Sequence, residues 1–412
     1  MANLRIEFSS RYTGYKLKKL LLPALLMGLL LMASCSTSTG VSAKSQIPGS
    51  SVSLKSWEDP GYSLYVADTS SNDVRVINLA NFKTSRVLNA GPSPIALALT
   101  QDDRSLVVAN NTGGQVGGTS TLTIIHLSNY AVSPQIQAGQ GPYAVATIAN
   151  PPLAFAADMG LMAIDPSKIS KINLSHPSPK AVANAWIVKD ANTITPINTS
   201  TLTPLPPIYA GPGPGAIAIA PRRDLALVAD SGTQANPGDS ISIINLRTDS
   251  FVKEVVTGLA PQGVVVTPNE KYAYVTDSGW WEDPGRYVVP VDLSNLKTLP
   301  PIKTGIGPLG IAITPNGKWV YVANYAWQLY GYGTITPIDT STNKPGKAFK
   351  VGPGPISITI SPDGKFAYVA LVGTLAKVGH SVVPIRLSDN KVGPPIEVGK
   401  GPSSVVVGPT IK

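Results

Sequence analysis

Residues 305–324 read GIGPLGIAITPNGKWVYVAN, and residues 352–371 read GPGPISITISPDGKFAYVAL. Both stretches contain a Gly-x-x-Pro motif, an apolar run, a turn with Pro, Asn or Asp, and Gly, and then a second apolar run. Such turns favour a tight hairpin, because Pro presets φ, Asn and Asp tolerate the bend and Gly adopts the left-handed conformation. The two stretches therefore predict the same unit, which is a pair of short antiparallel strands.

The Gly-x-x-Pro motif recurs along the whole chain at a nearly constant spacing. Its seven copies begin at Gly91, Gly139, Gly211, Gly258, Gly305, Gly352 and Gly399. The intervals are 48 and 72 residues and then 47 residues four times. A period of about 40 to 50 residues with strand-like content is typical of β-propellers, which have one four-stranded blade per repeat. We therefore predict an all-β fold, a seven-bladed β-propeller.

The first strand of each unit alternates small and branched side chains. The second residue after each motif Pro is small: Ala96, Ala144, Ala216, Gly263, Gly310, Ser357 and Ser404. The next residue is always branched and apolar: Leu97, Val145, Ile217, Val264, Ile311, Ile358 and Val405. Successive side chains of a strand point to opposite faces, so one face is small and the other is large. This pattern suits the innermost strand of a blade, where neighbouring sheets converge.

The second strand ends in Asp or Asn in six of the units. These residues are Asp68, Asn110, Asp158, Asp230, Asp277 and Asn324. A ring of oxygen ligands for a cation is one interpretation. The other is that each side chain caps its strand end by bonding to the backbone two residues later. We favour the structural interpretation, because repetition at a turn is what a turn rule predicts.

The segments Tyr274–Asp277 and Tyr321–Asn324, together with the turn Thr314–Lys318, resemble the YVTN-type repeats of bacterial and archaeal surface and periplasmic β-propellers. The resemblance covers Tyr62 to Lys412 and implies a secreted or surface repeat protein. It implies little about the ligand, because propellers host unrelated functions.

The two ends of the repeat region predict how the ring closes. Tyr62–Asp68 is a second-type strand with no motif before it, and Ser403–Val407 is a first-type strand with no second strand after it. We expect these strands to pair in one blade, which removes exposed sheet edges. The propeller domain then spans residues 57–412, with an insertion at about 159–192 in the third blade.

The N-terminus predicts export. Five basic residues precede the 14-residue apolar run Leu20–Ala33, which is too short to span a bilayer comfortably and matches a signal-peptide core. The run is followed by Ser34 and Cys35, an arrangement that resembles a bacterial lipobox, so Cys35 is the predicted lipidation site. Residues 1–34 would be the signal peptide and the Ser-rich residues 35–56 a tether. The alternative is ordinary cleavage after Ala43.

Composition argues against several functional classes. Cys35 is the only cysteine, so intrachain disulfides and thiolate metal sites are excluded. The three histidines are His126, His176 and His380, and they are scattered along the chain. After removal of residues 1–34 the chain has 28 basic and 23 acidic residues, and only Arg222-Arg223 forms a basic pair in the propeller. We therefore predict no catalytic, cofactor-binding or metal-binding residues, and the composition argues against nucleic acid as a partner.

The best candidate for a binding surface is a set of aromatic residues in two neighbouring loops between second and third strands. They are Trp280, Trp281, Tyr325, Trp327, Tyr330 and Tyr332. Trp and Tyr are favoured contact residues, although such rings can also pack over their own loops. We predict a monomeric, membrane-anchored, extracytoplasmic binding module for a protein, peptide or glycan. The alternatives are a lactonase-like hydrolase or lyase at the mouth of the central channel, and a protein that binds an anionic polymer or nucleic acid.

Overall fold

The computed structural model describes residues 54–111, 120–139, 141–159, 161–164, 186–189, 192–233, 236–280, 283–326, 332–374 and 376–410. Within these ranges the chain forms seven antiparallel sheets of four or five strands and one separate two-stranded hairpin. The seven sheets are the blades of a propeller, as predicted. Predictions for residues 1–53, including Cys35, and for Trp281, Trp327, Tyr330 and His176 lie outside the described residues.

The strands follow in chain order through the blades. Blade 1 contains β1 (Tyr62–Asp68), β2 (Asp73–Asn78), β3 (Lys83–Leu88) and, from the C-terminus, β35 (Pro402–Pro409). Blade 2 contains β4 (Pro94–Leu99), β5 (Ser105–Asn111), β6 (Ser120–His126), β7 (Ala131–Val132) and β8 (Ile136–Gln137). Blade 3 contains β9 (Pro142–Ile148), β10 (Leu153–Asp158), β13 (Thr193–Asn198), β14 (Thr203–Pro204) and β15 (Ile208–Tyr209), and its insertion forms β11 (Leu161–Ile164) and β12 (Trp186–Lys189).

The later blades repeat this order. Blade 4 contains β16 (Pro214–Ala220), β17 (Leu225–Gly232), β18 (Pro237–Asn245) and β19 (Ser250–Val256). Blade 5 contains β20 (Pro261–Val266), β21 (Tyr272–Trp280), β22 (Asp283–Asp292), β23 (Lys297–Thr298) and β24 (Ile302–Lys303). Blade 6 contains β25 (Pro308–Ile313), β26 (Trp319–Asn324), β27 (Gly333–Asp339), β28 (Lys344–Pro345) and β29 (Phe349–Gly352). Blade 7 contains β30 (Pro355–Ile360), β31 (Phe366–Thr374), β32 (Lys377–Arg386), β33 (Lys391–Val392) and β34 (Ile396–Glu397). Two short 3-10 helices are Leu54–Trp57 and Pro221–Arg223.

The ring closes between the two ends of the repeat region. β1 pairs antiparallel with β35, from Tyr62 opposite Pro409 to Asp68 opposite Pro402. This pairing confirms the predicted closure and gives blade 1 the same inner, second and third strands as the continuous blades. The inner strand of blade 1 therefore comes from the C-terminus, and β1 does not present an open edge.

The small face of each inner strand lies against the next blade. A Cβ added at Gly310 would lie 2.7 Å from the carbonyl oxygen of Ile356 in blade 7. Where this position is Ser, its hydroxyl bonds to the backbone of the next blade. Ser404 Oγ accepts a hydrogen bond of 3.1 Å from the N–H of Leu97 in blade 2. The branched face packs on the preceding blade, as Val405 does in a cluster with Tyr368. Close approach of the inner strands thus explains why this position is small.

In six blades the Asp or Asn near the end of the second strand lies beneath the first Gly of a Gly-x-x-Pro motif, an arrangement that we call the Asx–Gly contact. A Cβ at Gly305 would lie 2.6 Å from Cγ of Asn324. The N–H of Gly305 donates to Asn324 Oδ1 at 3.1 Å, and the N–H of Gly399 donates to Asp68 Oδ2 at 2.9 Å. The predicted bond to the backbone two residues later is therefore wrong, because these side chains bond across the blade.

Candidate functional site

The propeller has two faces with different architecture. The Gly-x-x-Pro turns and the connections between second and third strands lie together on one face, which we call the loop face. Their proximity is shown by the N–H of Tyr325, which donates to the carbonyl of Gly307 at 2.9 Å, and by the N–H of Val372, which donates to Gly354 at 2.9 Å. The tight turns between first and second strands form the opposite side, which we call the turn face.

Three of the six predicted contact aromatics lie within the described residues, and they have different environments. Tyr325 is only 8% exposed and packs on Leu309, while Trp280 is half-buried beside them. Ile306, Ile356 and Val372 complete this cluster, which covers the ends of blades 5 to 7. Tyr325 is therefore a packing residue and not the surface contact that we expected, because the inner strand of its own blade supplies Leu309 as a partner.

Tyr332 differs from the other two residues because it is 66% exposed. The Lys350 ammonium lies 6.0 Å from the centre of its ring, so the aromatic face has a cation at its side. A tyrosine that is largely exposed is accessible to a partner. Among the described residues of the predicted set, Tyr332 and the exposed part of Trp280 are the accessible ones.

The inner strands contribute uncharged residues at their loop-face ends. The residue after each motif Pro stands at this end of its inner strand: Ile95, Tyr143, Gly215, Gln262, Leu309, Ile356 and Ser403. Burial raises the pKa of the Tyr143 hydroxyl, so it stays protonated at neutral pH. Gln262 Nε2 is buried and has no hydrogen-bond partner among the described atoms. The convergent charged residues that the hydrolase or lyase alternative requires are not found at this position of the described strands.

Buried carboxylates lie deeper, in the Asx–Gly contacts. Burial raises the pKa of Asp158 to about 7. Hydrogen bonds to its Oδ2 from the hydroxyls of Thr195, at 2.6 Å, and Thr193, at 3.2 Å, lower the pKa and only partly offset the effect of burial. Burial likewise raises the pKa of Asp230 to about 7. Raised pKa values are frequent at functional sites. Here each carboxylate is enclosed within its own blade, and no group of three or more His, Cys, Asp or Glu side chains suited to a metal occurs in the described residues.

The basic pair Arg222-Arg223 is used within the fold. Arg222 Nε lies 3.1 Å from Glu270 Oε1, and Arg223 donates to the carbonyl oxygens of Glu270 at 2.7 Å and Leu293 at 3.0 Å. These contacts connect blade 4 to blade 5 across the turn face. The pair therefore has a structural role, and it does not support the nucleic-acid alternative.

The turn face contains a cleft that the sequence did not lead us to expect. It lies between blades 6 and 7, has a volume of about 420 Å³, and we call it the Trp319 cleft. Its wall from blade 6 includes Asn316, Trp319 and Tyr321, and its wall from blade 7 includes Lys365, Phe366, Arg386 and Leu387. The signal for it in the sequence is Trp319, which is 37% exposed and stands at the repeat position of the buried Phe366.

Comparisons with solved structures show the fold. The hydrazine synthase of Kuenenia stuttgartiensis is 18% identical, with 84% of this chain and 99% of that chain covered and a TM-score of 0.62. A functionally unknown protein from Desulfotomaculum acetoxidans is 14% identical, with 84% and 98% covered and a TM-score of 0.62. A candidate 6-phosphogluconolactonase from Bacteroides fragilis is 14% identical, with 85% and 98% covered and a TM-score of 0.59. Likeness at such identities shows a shared architecture and not a shared activity.

No protein-family model and no curated protein matches the sequence. In the described part of the chain, no helix has both the length and the apolar character needed to cross a membrane.

Proposed function

We propose that this protein is an extracytoplasmic binding module, anchored to the membrane by lipid on Cys35, that uses its loop face to hold a protein, peptide or glycan. The observation that supports this proposal best is the 66% exposure of Tyr332, whose ring centre lies 6.0 Å from the Lys350 ammonium. The YVTN-type resemblance supports the same assignment, because it implies a secreted or surface propeller.

The anchor follows from the sequence of the first 56 residues. Two or more acyl chains give stable membrane attachment, whereas a single chain is marginal. A Ser-rich tether would let the propeller reach partners at a distance from the membrane. Replacing Cys35 with Ser should move the protein to the soluble fraction or leave its precursor uncleaved. A wild-type protein that is already soluble, with Lys44 at its N-terminus, would contradict the anchor.

The binding surface is tested with glycan and peptide arrays probed by the purified chain lacking residues 1–35. Ligands found in this way are then measured against Tyr332→Ala, with Tyr209→Ala as a matched control. Tyr209 is also well exposed, at 55%, but it lies on β15 against Phe251, away from the predicted loops. A central aromatic contact is worth about 2 kcal/mol or more, so we expect roughly thirtyfold weaker binding for Tyr332→Ala alone. Equal affinities for the two variants would contradict the loop-face assignment, and turnover of a lactone by the parent would favour the hydrolase.

A further inference from the structure

The segment before β1 contains a tryptophan that shows how an indole is held on the turn face. Trp57 is 1% exposed and lies between blades 7 and 1. Its ring centre is 6.3 Å from that of Phe366, and the Arg386 guanidinium lies 5.2 Å above the ring. A Cβ on Gly393 would lie 2.7 Å from Trp57 Cε3, so this position must be Gly for the indole to enter. We call this arrangement the Trp57 site.

The Trp319 cleft is the equivalent of the Trp57 site one blade earlier. The 47-residue repeat places Trp319 and Tyr321 at the positions of Phe366 and Tyr368. Across the interface, Leu387 and Lys365 occupy the positions of Leu79 and Tyr62. The same backbone hydrogen bond identifies both pairs: the N–H of Leu387 donates to the carbonyl of Lys365, and the N–H of Leu79 donates to the carbonyl of Tyr62. Phe366, Tyr368, Leu79 and Tyr62 all pack in the cluster around Trp57, and all four counterparts line the cleft.

One glycine is shared by the Trp57 site and the corresponding position of blade 6. Gly346 stands at the position of Gly393, and both N–H groups donate to the Pro carbonyl of the third strand, at 2.7 and 2.8 Å. In blade 5 the same bond, 2.8 Å long, comes from Leu299. A leucine side chain thus occupies the repeat position that must be Gly for an indole to enter. Blade 6 keeps the Gly and has no Trp57 counterpart in the described residues.

The surroundings of Asp59 indicate what should follow the indole. The Asp59 carboxyl lies among Ser361, Asp363, Lys365 and Tyr368, and its N–H donates to the carbonyl of Leu79 at 2.9 Å. In the 47-residue repeat, Ser361, Asp363 and Tyr368 correspond to Thr314, Asn316 and Tyr321. These three residues of blade 6 line the Trp319 cleft. The acidic Asp363 is replaced there by the neutral Asn316. Lys365 and Arg386 also line the cleft, and both are already paired, with Asp363 and Asp389. An acidic side chain at this place would therefore meet the hydrogen-bonding groups of Thr314, Asn316 and Tyr321 without the negative charge that Asp363 gives the Trp57 site.

We propose that the Trp319 cleft binds a peptide segment of another polypeptide that carries a tryptophan followed within two residues by an acidic side chain. The indole would lie between Trp319 and Leu387, as Trp57 lies between Phe366 and Leu79. The acidic group would lie near Thr314, Asn316 and Tyr321. The proposed peptide site lies on the turn face, so its test does not depend on whether the loop face binds a partner.

The test uses isothermal titration calorimetry of the chain lacking residues 1–35 with an end-capped peptide of the sequence Lys-Ser-Trp-Glu-Asp-Pro-Gly, which is that of residues 55–61. We expect one molecule to bind per chain and at least tenfold weaker binding when the peptide Trp is replaced by Ala. Gly346→Leu should weaken binding at least tenfold, because it gives blade 6 the residue of blade 5. Leu299→Gly should add a second, weaker site.

Several outcomes would overturn the proposal. One is unchanged binding to Gly346→Leu, which would place the peptide on the loop face or in the Trp57 site. Another is binding of an oligosaccharide but not of the peptide in the cleft. Trp319→Ala provides a second variant, since the exposed position of this residue makes its loss compatible with folding. Melting curves of every variant show whether lost binding reflects lost structure.

Discussion

The two faces of the propeller hold their aromatic residues in different ways. On the loop face, Trp280 and Tyr325 pack in an apolar cluster that includes Leu309, whereas Tyr332 is exposed. On the turn face, Trp57 fills an interblade site and Trp319 borders an equivalent site that is open. The loops differ between blades, whereas the turns of blades 6 and 7 have nearly the same sequence, Thr314–Lys318 and Ser361–Lys365. Both candidate binding surfaces that we propose therefore lie where the chain departs from the repeat.

The largest difference is expected between the two tryptophans of the turn face. Trp57→Ala removes a fully buried indole and leaves a cavity between blades 7 and 1. The free energy of unfolding should therefore fall by about 3 to 5 kcal/mol. Trp319→Ala should lower it by less, about 1 to 2 kcal/mol, because 37% of the residue is exposed and it lines an open cleft. Denaturant unfolding of both variants measures these values. If both variants lost similar amounts of unfolding free energy, the Trp57 site and the Trp319 cleft would not be equivalent sites of which one is filled and the other is open.

A second difference concerns pH, because buried carboxylates lie under the loop face. Asp230 has a folded pKa of about 7 against 3.8 in the unfolded chain, so ionisation opposes folding. Its stabilising contribution is complete below about pH 4 and is lost as the pH rises through 7. Each pKa unit between the folded and unfolded states corresponds to about 1.4 kcal/mol of unfolding free energy, so ionisation of Asp230 should cost a few kcal/mol in total.

The variant Asp230→Asn tests this dependence. Blades 2 and 6 already have Asn at this position, so the amide fits the contact. We expect the variant and the parent to melt at similar temperatures near pH 4 and the variant to melt at a higher temperature near pH 8. Asn324→Asp should show the reverse trend. Parallel pH profiles for parent and variant would mean that Asp230 is ionised in the folded protein throughout.

A smaller difference separates glycines of the two faces. Gly305→Ala should cost about 1 to 3 kcal/mol, because the new Cβ would overlap Asn324 in the Asx–Gly contact. Gly364→Ala on the turn face meets only Pro315, at 3.5 Å, and its cost of about 1 to 2 kcal/mol comes from the left-handed φ of +72°. Combining Asn324→Ala with Gly305→Ala should recover part of the stability that Gly305→Ala loses. Combining it with Gly364→Ala should recover none of the stability that Gly364→Ala loses. A double variant with simply additive losses would refute the overlap.

The fold could be predicted because its signals are local and repeated. Turn chemistry such as Thr314–Lys318 specifies each hairpin, and the 47-residue period multiplies this evidence around the ring. Closure was also predictable, since Tyr62–Asp68 and Ser403–Val407 are complementary halves of one unit. The small face of the inner strands followed from the sequence for the same reason.

The sites were less predictable because they depend on contacts between residues far apart in sequence. Tyr325 was expected at the surface, but its burial depends on the cluster that Leu309, Ile306 and Trp280 form around it. The Trp57 site depends on Gly393 at the other end of the chain. The Asp and Asn positions were recognised, yet their partners are the motif glycines and third-strand hydroxyls, which only the paired blade brings together.

The most direct measurement is a crystal structure of the chain lacking residues 1–35 with the Lys-Ser-Trp-Glu-Asp-Pro-Gly peptide. We expect the peptide indole to lie between Trp319 and Leu387, in the orientation of Trp57, with an acidic side chain near Asn316. A peptide bound on the loop face, or a Trp319 cleft left empty at saturating peptide, would contradict it.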